Sequence, residues 1–235
     1  GQDRARTAPP LMRLVSLASG SSGNCILVDD GDTRLLVDCG IGPRTLKQRL
    51  TTAGVAPESI SGVLVTHEHI DHVRGLEAAV AKWAWPVMGS AGTLHDLPAA
   101  VRPHAKPVRE RGQVGGLQFE LIPVAHDAHE PTAYAITARA SGIRVGIAHD
   151  LGAPSDRLVA AFRGVDLLCI EANHDVEMLR AGPYPAYLKA RIASGTGHLS
   201  NDQTAAFMDA VSTPALRAVL LLHLSEVNNT PDVAC

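Results

Sequence analysis

The chain reads as a series of short apolar runs, each closed by Gly, Pro, Asp, Glu or His. MRLVSLA (12–18), CILVDD (25–30) and TRLLVDC (33–39) predict three successive strands, the last two joined by a hairpin turn at Asp30-Gly31-Asp32. Pro43 opens a predicted helix that sets Leu46, Leu50 and Ala53 on one face and stops at Gly54. GVLVT (62–66) is the next strand, and a helix over 72–82 follows. After a less regular stretch, strands resume with LQFELIPV (117–124), the hairpin pair AYAITA (133–138) and IRVGIA (143–148), then VDLLCI (165–170) and AVLLL (218–222). Helices fit 154–163, 184–193 and 201–211. No short-period repeat, low-complexity run or linker interrupts this alternation. It predicts one α/β domain over 11–235, preceded by a loose tail at 1–10.

Composition sharpens the picture in three places. Apolar residues are 46% of the chain and aromatic ones 3%, so the core must be built from Val, Leu, Ile and Ala. The formal charge of −3 excludes a globally basic nucleic-acid magnet and leaves room only for a local basic face. RPHAKPVRER (102–111) and the group Arg180, Lys189 and Arg191 are candidates for phosphate contact, and equally for solvated surface. Trp83, Trp85, Tyr184 and Tyr187 are the few aromatics that can stack on bases. The four cysteines form no CxxC pair, and Cys25, Cys39 and Cys169 sit in or beside apolar runs. That favours buried free thiols in a reducing compartment. No apolar run approaches the roughly 18 residues of a membrane span, and the start lacks the apolar core of a signal peptide. The expectation is a cytoplasmic protein with no membrane partner.

The chemistry gathers at strand ends. THEHIDH (66–72) follows GVLVT and packs three histidines, a glutamate and an aspartate into seven positions. His67 and His69 are two apart, so in an extended segment both point to one side, and Asp71 and His72 can then turn toward a neighbouring position. The zincin pattern HExxH is absent, because the fifth residue from His67 is Asp71. His126, Asp150 and His223 each follow a later predicted strand, and VDLLCI ends at Glu171. Polar residues begin at strand ends in any fold, which accounts for one or two of these positions but not for His67, His126, Asp150 and His223 together. His129 competes with His126, which lies closer to its strand end. His95 and His104 are expected to face solvent. Asp38 fits a buried acceptor for the histidine loop better than a ligand. SGSSGN (19–24) offers Ser19, Ser21, Ser22 and Asn24 either as an anion-binding nest or as an ordinary turn. GHLSN (197–201) precedes a helix that Ser200 or Asn201 can cap.

THEHIDH resembles the HxHxDH signature of the metallo-β-lactamase superfamily, and LLVDCG, His126, Asp150 and His223 follow in its order. SLASGSSGNC, PVAHDAHEP, EANHD, GPYPAYLKARI, GHLSN and HLSEVNN are similar to the YycJ-like branch, over roughly residues 12–231. The one departure is AHDLG, with His149 where a threonine is expected; it either adds a ligand-like group or faces away. The resemblance implies an αββα sandwich of two mixed sheets flanked by helices, with two divalent metal ions at one edge. Zinc suits the donors, and so do manganese and iron. It assigns His67, His69 and His126 to one metal, Asp71, His72 and His223 to the other, and Asp150 to both. It further implies a hydrolase in which a hydroxide bridging the metals is the nucleophile, acting as a phosphodiesterase or 5′ exonuclease on DNA. Asp71 and His198 are the candidate catalytic residues, with His198 either donating a proton to the leaving oxygen or holding a phosphate. Ser19, Ser21, Ser22, Asn24, His174, Ser200 and Asn201 are candidate substrate contacts. The competing readings are a small-molecule acyl hydrolase (lactonase, thioesterase or β-lactamase-like) and a metal-binding regulator without turnover. The absence of a cysteine at a matching motif argues against a true β-lactamase.

Overall fold

The computed structural model describes residues 12–235; the tail expected over 1–10 lies outside them. The first half of the chain forms β1 (Arg13–Ala18), β2 (Cys25–Asp29), β3 (Arg34–Val37), α1 (Pro43–Thr52), β4 (Gly62–Leu64), α2 (Ile70–Val73), α3 (Leu76–Trp83), β5 (Val87–Gly89), α4 (Ala91–His95) and β6 (Ala105–Pro107). Its six strands lie side by side in chain order, antiparallel from β1 to β3 and parallel from β3 to β6. The second half forms β7 (Arg111–Val114), β8 (Leu117–Pro123), β9 (Thr132–Ala138), β10 (Arg144–Ala148), α5 (Asp156–Phe162), β11 (Leu167–Glu171), α6 (Val176–Ala181), α7 (Ala186–Ile192), α8 (Asn201–Val211), β12 (Ala218–Leu222) and α9 (Pro231–Ala234). This sheet is antiparallel from β7 to β10 and parallel from β10 to β12.

Period-two alternation decides which side chain goes where. In β2, Cys25 and Leu27 join the layer of α1, α3 and α4 with Leu46, Leu50, Leu76 and Leu94. Ile26 and Val28 of the same strand turn the other way, against Phe119, Tyr134, Ile136 and Ile147 of the second sheet. A third layer packs Leu158 and Phe162 of α5 and Phe207 of α8 on the outer face of that sheet. The result is helix, sheet, sheet, helix, as expected. Each large apolar side chain buried between layers contributes about 1.5–3 kcal/mol.

Three local expectations are corrected. The helix expected over 72–82 is two helices, α2 and α3, broken at Arg74 and Gly75. Gly75 is needed there, since a Cβ would lie 2.1 Å from the Ile41 carbonyl oxygen. The irregular stretch before residue 117 holds β5, β6 and β7, each too short to show alternation. α6 was not expected at all. Among the described residues, no helix is long and apolar enough to cross a membrane.

Candidate metal centre

The parallel arrangement of β3 with β4, and of β10 with β11 and β12, brings strand C-termini to a common edge in each sheet. The sheets are tied together there by the Thr132 amide on the Thr66 carbonyl (2.9 Å) and the Tyr134 hydroxyl on the Val65 carbonyl (2.7 Å). Among the described residues, four that are not glycine have positive φ, and three of them, Asp38, Asp150 and His223, lie one residue past β3, two past β10 and one past β12. Asp and His tolerate this left-handed region better than most residues, and such positions concentrate at functional sites. The turn re-aims each side chain from the sheet face toward the edge.

One compact triad and a second, looser one held together through Asp71 result. His67 Nε2 and His126 Nε2 lie 3.1 and 3.3 Å from His69 Nδ1. In the second group, His72 Nε2 is 3.4 Å from Asp71 Oδ2, which is 3.7 Å from His223 Nε2. Asp150 Oδ2 stands between them, 3.4 Å from His67 Nε2 and 2.5 Å from His72 Nε2. Outer partners fix which nitrogen points inward. His67 Nδ1 lies 3.0 Å from the Thr66 hydroxyl, which donates to Asp38 Oδ2 (2.8 Å); the Thr66 amide donates to Asp38 Oδ1 (2.8 Å). His72 Nδ1 donates to Asp38 Oδ2 (2.7 Å), and His126 Nδ1 to the Gly197 carbonyl (3.1 Å). Asp38 is thus the buried acceptor expected of it. Gly40 lets the α2 loop seat closely, because a Cβ there would lie 1.6 Å from the Asp71 carbonyl oxygen.

Glu171 is the residue that sequence reasoning missed. It is fully buried, and its carboxylate accepts from His198 Nδ1 (2.7 Å), His223 Nδ1 (3.0 Å) and the amides of Leu151 (3.1 Å) and Leu199 (3.3 Å). Its place at the end of VDLLCI was the available signal. Because His223 Nδ1 is committed to Glu171, its Nε2 faces the centre. His149 is buried on the Asp38 side of His72. It stacks on that ring at 4.9 Å, with Nε2 3.4 Å from Asp38 Oδ2 but no hydrogen bond.

The electrostatics fit cations. Burial first, then the neighbouring His72, holds His67 well below the ordinary histidine range, and burial lowers His126 as well. Burial also opposes charge on His72 and His223, yet Asp150 outweighs it and raises both. Asp71 and Asp150 are held low against burial by these histidines. His223 Nε2 is buried with no hydrogen-bond partner, and Asp150 Oδ1, although 2.9 Å from His223 Nδ1, makes no hydrogen bond of good geometry. Such orphaned donor atoms, among imidazoles and carboxylates, are what divalent ions satisfy, displacing protons as they bind. The donor set suits divalent metal ions.

His198 sits beside the centre, its ring 5.3 Å from that of His126 and 5.1 Å from that of His223. Its pKa is raised to about 10: burial works against the charge, and Glu171 followed by Asp150 overcomes it. His198 lines a cleft of about 170 Å³ with Ser21, Tyr184, Leu188, Arg191 and His223. Arg191 closes on Asp127, the neighbour of His126, through Nε (2.7 Å) and Nη2 (2.6 Å).

The other expected substrate contacts are scattered. Ser21 reaches the cleft, whereas the Ser19 hydroxyl accepts from the His223 amide (2.7 Å). Ser22 offers its carbonyl to Arg74 (3.2 Å). Asn24 Nδ2 is turned onto Asp71 Oδ2 (3.2 Å). Ser200 and Asn201 are not brought to the cleft by their polar groups. Ser200 forms a capping box with Gln203, and Asn201 pairs with Asn229, because the first turn of α8 needs those partners. His174 lines a separate cavity of about 600 Å³ beside Lys189 and Arg180, across α7 from the cleft. Tyr187 is exposed. Trp83 and Trp85 stack on each other at 4.7 Å, and Trp85 is buried with its Nε1 on the Pro57 carbonyl, so that pair is a core feature rather than a base platform. His129 and His95 are exposed away from the triads, and His104 is half-buried.

The chain is similar to known proteins over most of its length. The family described as "Beta-lactamase superfamily domain" matches residues 33–224. Exodeoxyribonuclease YycJ of Bacillus anthracis is 36% identical over 224 residues, covering 93% of this chain and 84% of the relative. Exodeoxyribonuclease WalJ of Streptococcus pneumoniae serotype 2 (strain D39) is 33% identical over 227 residues, covering 93% and 83%. The crystal structure of the metallo-beta-lactamase fold protein YhfI from Bacillus subtilis superposes with a TM-score of 0.71 at 20% identity, covering 95% of this chain and 89% of that one.

Proposed function

The chain belongs to the beta-lactamase superfamily, and from that premise we propose that it is a binuclear metal-dependent exodeoxyribonuclease, a phosphodiesterase acting on DNA. The observation that carries the reading is Asp150 Oδ2 set between the two triads, 3.4 Å from His67 Nε2 and 2.5 Å from His72 Nε2. In this reading His67, His69 and His126 would hold one ion and Asp71, His72 and His223 the other, with Asp150 shared between them. Divalent metal held by these residues would supply Lewis acidity toward a bound water and a phosphoryl oxygen. Among the described residues, no cysteine contributes to the metal-competent clusters, which favours phosphodiesters over β-lactams. The two relatives named as exodeoxyribonucleases support DNA as the substrate.

The remaining groups divide the work. Glu171 holds the Nδ1 proton of His198 and so leaves Nε2 to meet a leaving oxygen as a general acid. Arg191 stands at the cleft wall, where a phosphate can compete with Asp127 for its guanidinium. Tyr184 lies on the same wall and offers a flat face to a terminal base. Asp71 orients within the second triad, steadied by Asn24.

The test is a substrate panel with metal analysis. The zinc- or manganese-loaded protein should degrade 5′-phosphorylated duplex DNA and hydrolyse bis-(p-nitrophenyl) phosphate far faster than nitrocefin. Ready turnover of nitrocefin with no action on DNA would replace the reading with an acyl hydrolase. Asp150→Ala should lower occupancy of both ions, and loss of only one would refute the bridging role.

A further inference from the structure

Outside the centre, His95, Asp96 and His129 bring three ligand atoms to within 4.8 Å of one another. His95 Nδ1 lies 2.8 Å from Asp96 Oδ1, and His129 Nδ1 lies 2.9 Å from Asp96 Oδ2. His129 belongs to the His-Asp-Ala-His stretch at 126–129, of which the centre uses only His126. We propose that these three residues form a third divalent-cation site at the rim, a two-histidine, one-carboxylate site for zinc-like ions.

The scaffold fixes the backbone segments that carry these side chains. His95 ends α4 and Asp96 follows it, while His129 comes from the β8–β9 loop. That loop is fastened to α4 by the Ser90 hydroxyl (2.8 Å) and the Thr93 hydroxyl (3.1 Å) on the Glu130 carbonyl. The Glu130 carboxylate in turn accepts from the Gly92 amide (2.7 Å). On its other side, the His129 amide donates to Glu68 Oε1 (2.7 Å), within the HxHxDH loop itself. The donors thus come from two elements already locked together, which reduces the ordering cost of binding.

Tetrahedral zinc with bonds of about 2.0–2.1 Å needs donors about 3.4 Å apart. The observed contacts of 2.8 and 2.9 Å, one to each Asp96 oxygen, would open by about 0.5 Å, and the ligand atoms of the three residues already lie within 4.8 Å of one another. Two imidazoles and one carboxylate select zinc, copper or nickel over magnesium or calcium. Three protein donors leave a position for water or an external ligand. The site is exposed and supplies only three donors, so it binds more weakly than the buried centre. An ion there would pin the loop that carries His126, coupling rim occupancy to the arrangement of the first triad.

Zinc titration of the metal-stripped full chain tests this, in a Cys235→Ser background that removes the exposed thiol. The parent should take up three equivalents, the third with micromolar affinity. His95→Ala and His129→Ala should each abolish that weak equivalent. The side chains are more than half exposed, at 75% and 54%, so neither change threatens the fold. A parent that binds only the weak equivalent, lost in both variants, would sink the binuclear reading while supporting the rim site. Saturation of the parent at two equivalents, retention of the third in both variants, or loss of a tight equivalent in His129→Ala would each overturn the proposal.

Discussion

Asp38→Asn isolates the contribution of the residue behind the centre. Asp38 Oδ1 accepts from the Thr66 amide (2.8 Å), and Oδ2 accepts from the Thr66 hydroxyl (2.8 Å) and His72 Nδ1 (2.7 Å). An asparagine fits the same space but replaces one oxygen with an NH2 group. With that group facing His72, two donors meet, and relief requires His72 to give up its Nδ1 hydrogen, keeping one only on Nε2, the nitrogen that faces Asp150 and Asp71. Turned the other way, the NH2 group faces the Thr66 N–H. Either orientation strands a buried donor, at a cost of about 1–3 kcal/mol, and also loses a charge-assisted bond. A net loss of about 2 kcal/mol shifts the urea midpoint of the metal-free chain by about 1 M, for an m value near 2 kcal/mol/M. Zinc affinity at the second triad should fall about 10–100-fold, the scale for outer partners of ligating histidines. Asp30→Asn is the control. Asp30 is also buried, and its carboxylate accepts from the amides of Asp32 (3.1 Å) and Thr33 (2.7 Å), away from the centre. That change should cost stability and leave zinc affinity intact. Wild-type urea midpoint and wild-type zinc affinity in Asp38→Asn would refute the reasoning.

Other perturbations separate the remaining roles. His198→Ala should keep its metal content and lose about 10²–10⁴-fold in rate on DNA, with a smaller loss on a p-nitrophenyl ester whose leaving group needs no proton; an equal loss on both would assign His198 to phosphate positioning instead. Arg191→Ala should raise KM for DNA about 10-fold with metal content unchanged, as expected for removing one partly exposed charged contact to phosphate; an unchanged KM would show that Arg191 serves only Asp127. Burial pushes the Cys39 and Cys169 thiols up to about 12, with Asp38 adding to the shift at Cys39, and it raises Cys25 as well. Only Cys235 is exposed, so one thiol should react with a disulfide reagent at pH 8 before unfolding and four afterwards; rapid reaction of two or more would contradict the packing.

Most of the centre is legible in the sequence because its signals are local. HxHxDH is one short loop, and His126, Asp150 and His223 each advertise themselves as polar residues closing an apolar run. The layers of the sandwich follow from period-two alternation in β2 and β8 and from the helical faces of α1 and α8, which depend on nearest neighbours along the chain. Other features depend on residues far apart in the chain. Glu171 matters because parallel pairing sets β11 between β10 and β12, within reach of His198 and His223 at once. The salt bridge between Arg191 and Asp127 spans 64 residues, and no periodicity announces it. Ser200 and Asn201 looked available to a substrate until the first turn of α8 and Asn229 claimed them. His174, a few residues beyond Glu171, opens onto a different cavity because α7 stands between it and the cleft. The chain's local chemistry determined which residues could serve, and the packing of layers decided which of them meet. A side chain's burial and partners are set by elements that arrive from elsewhere in the fold.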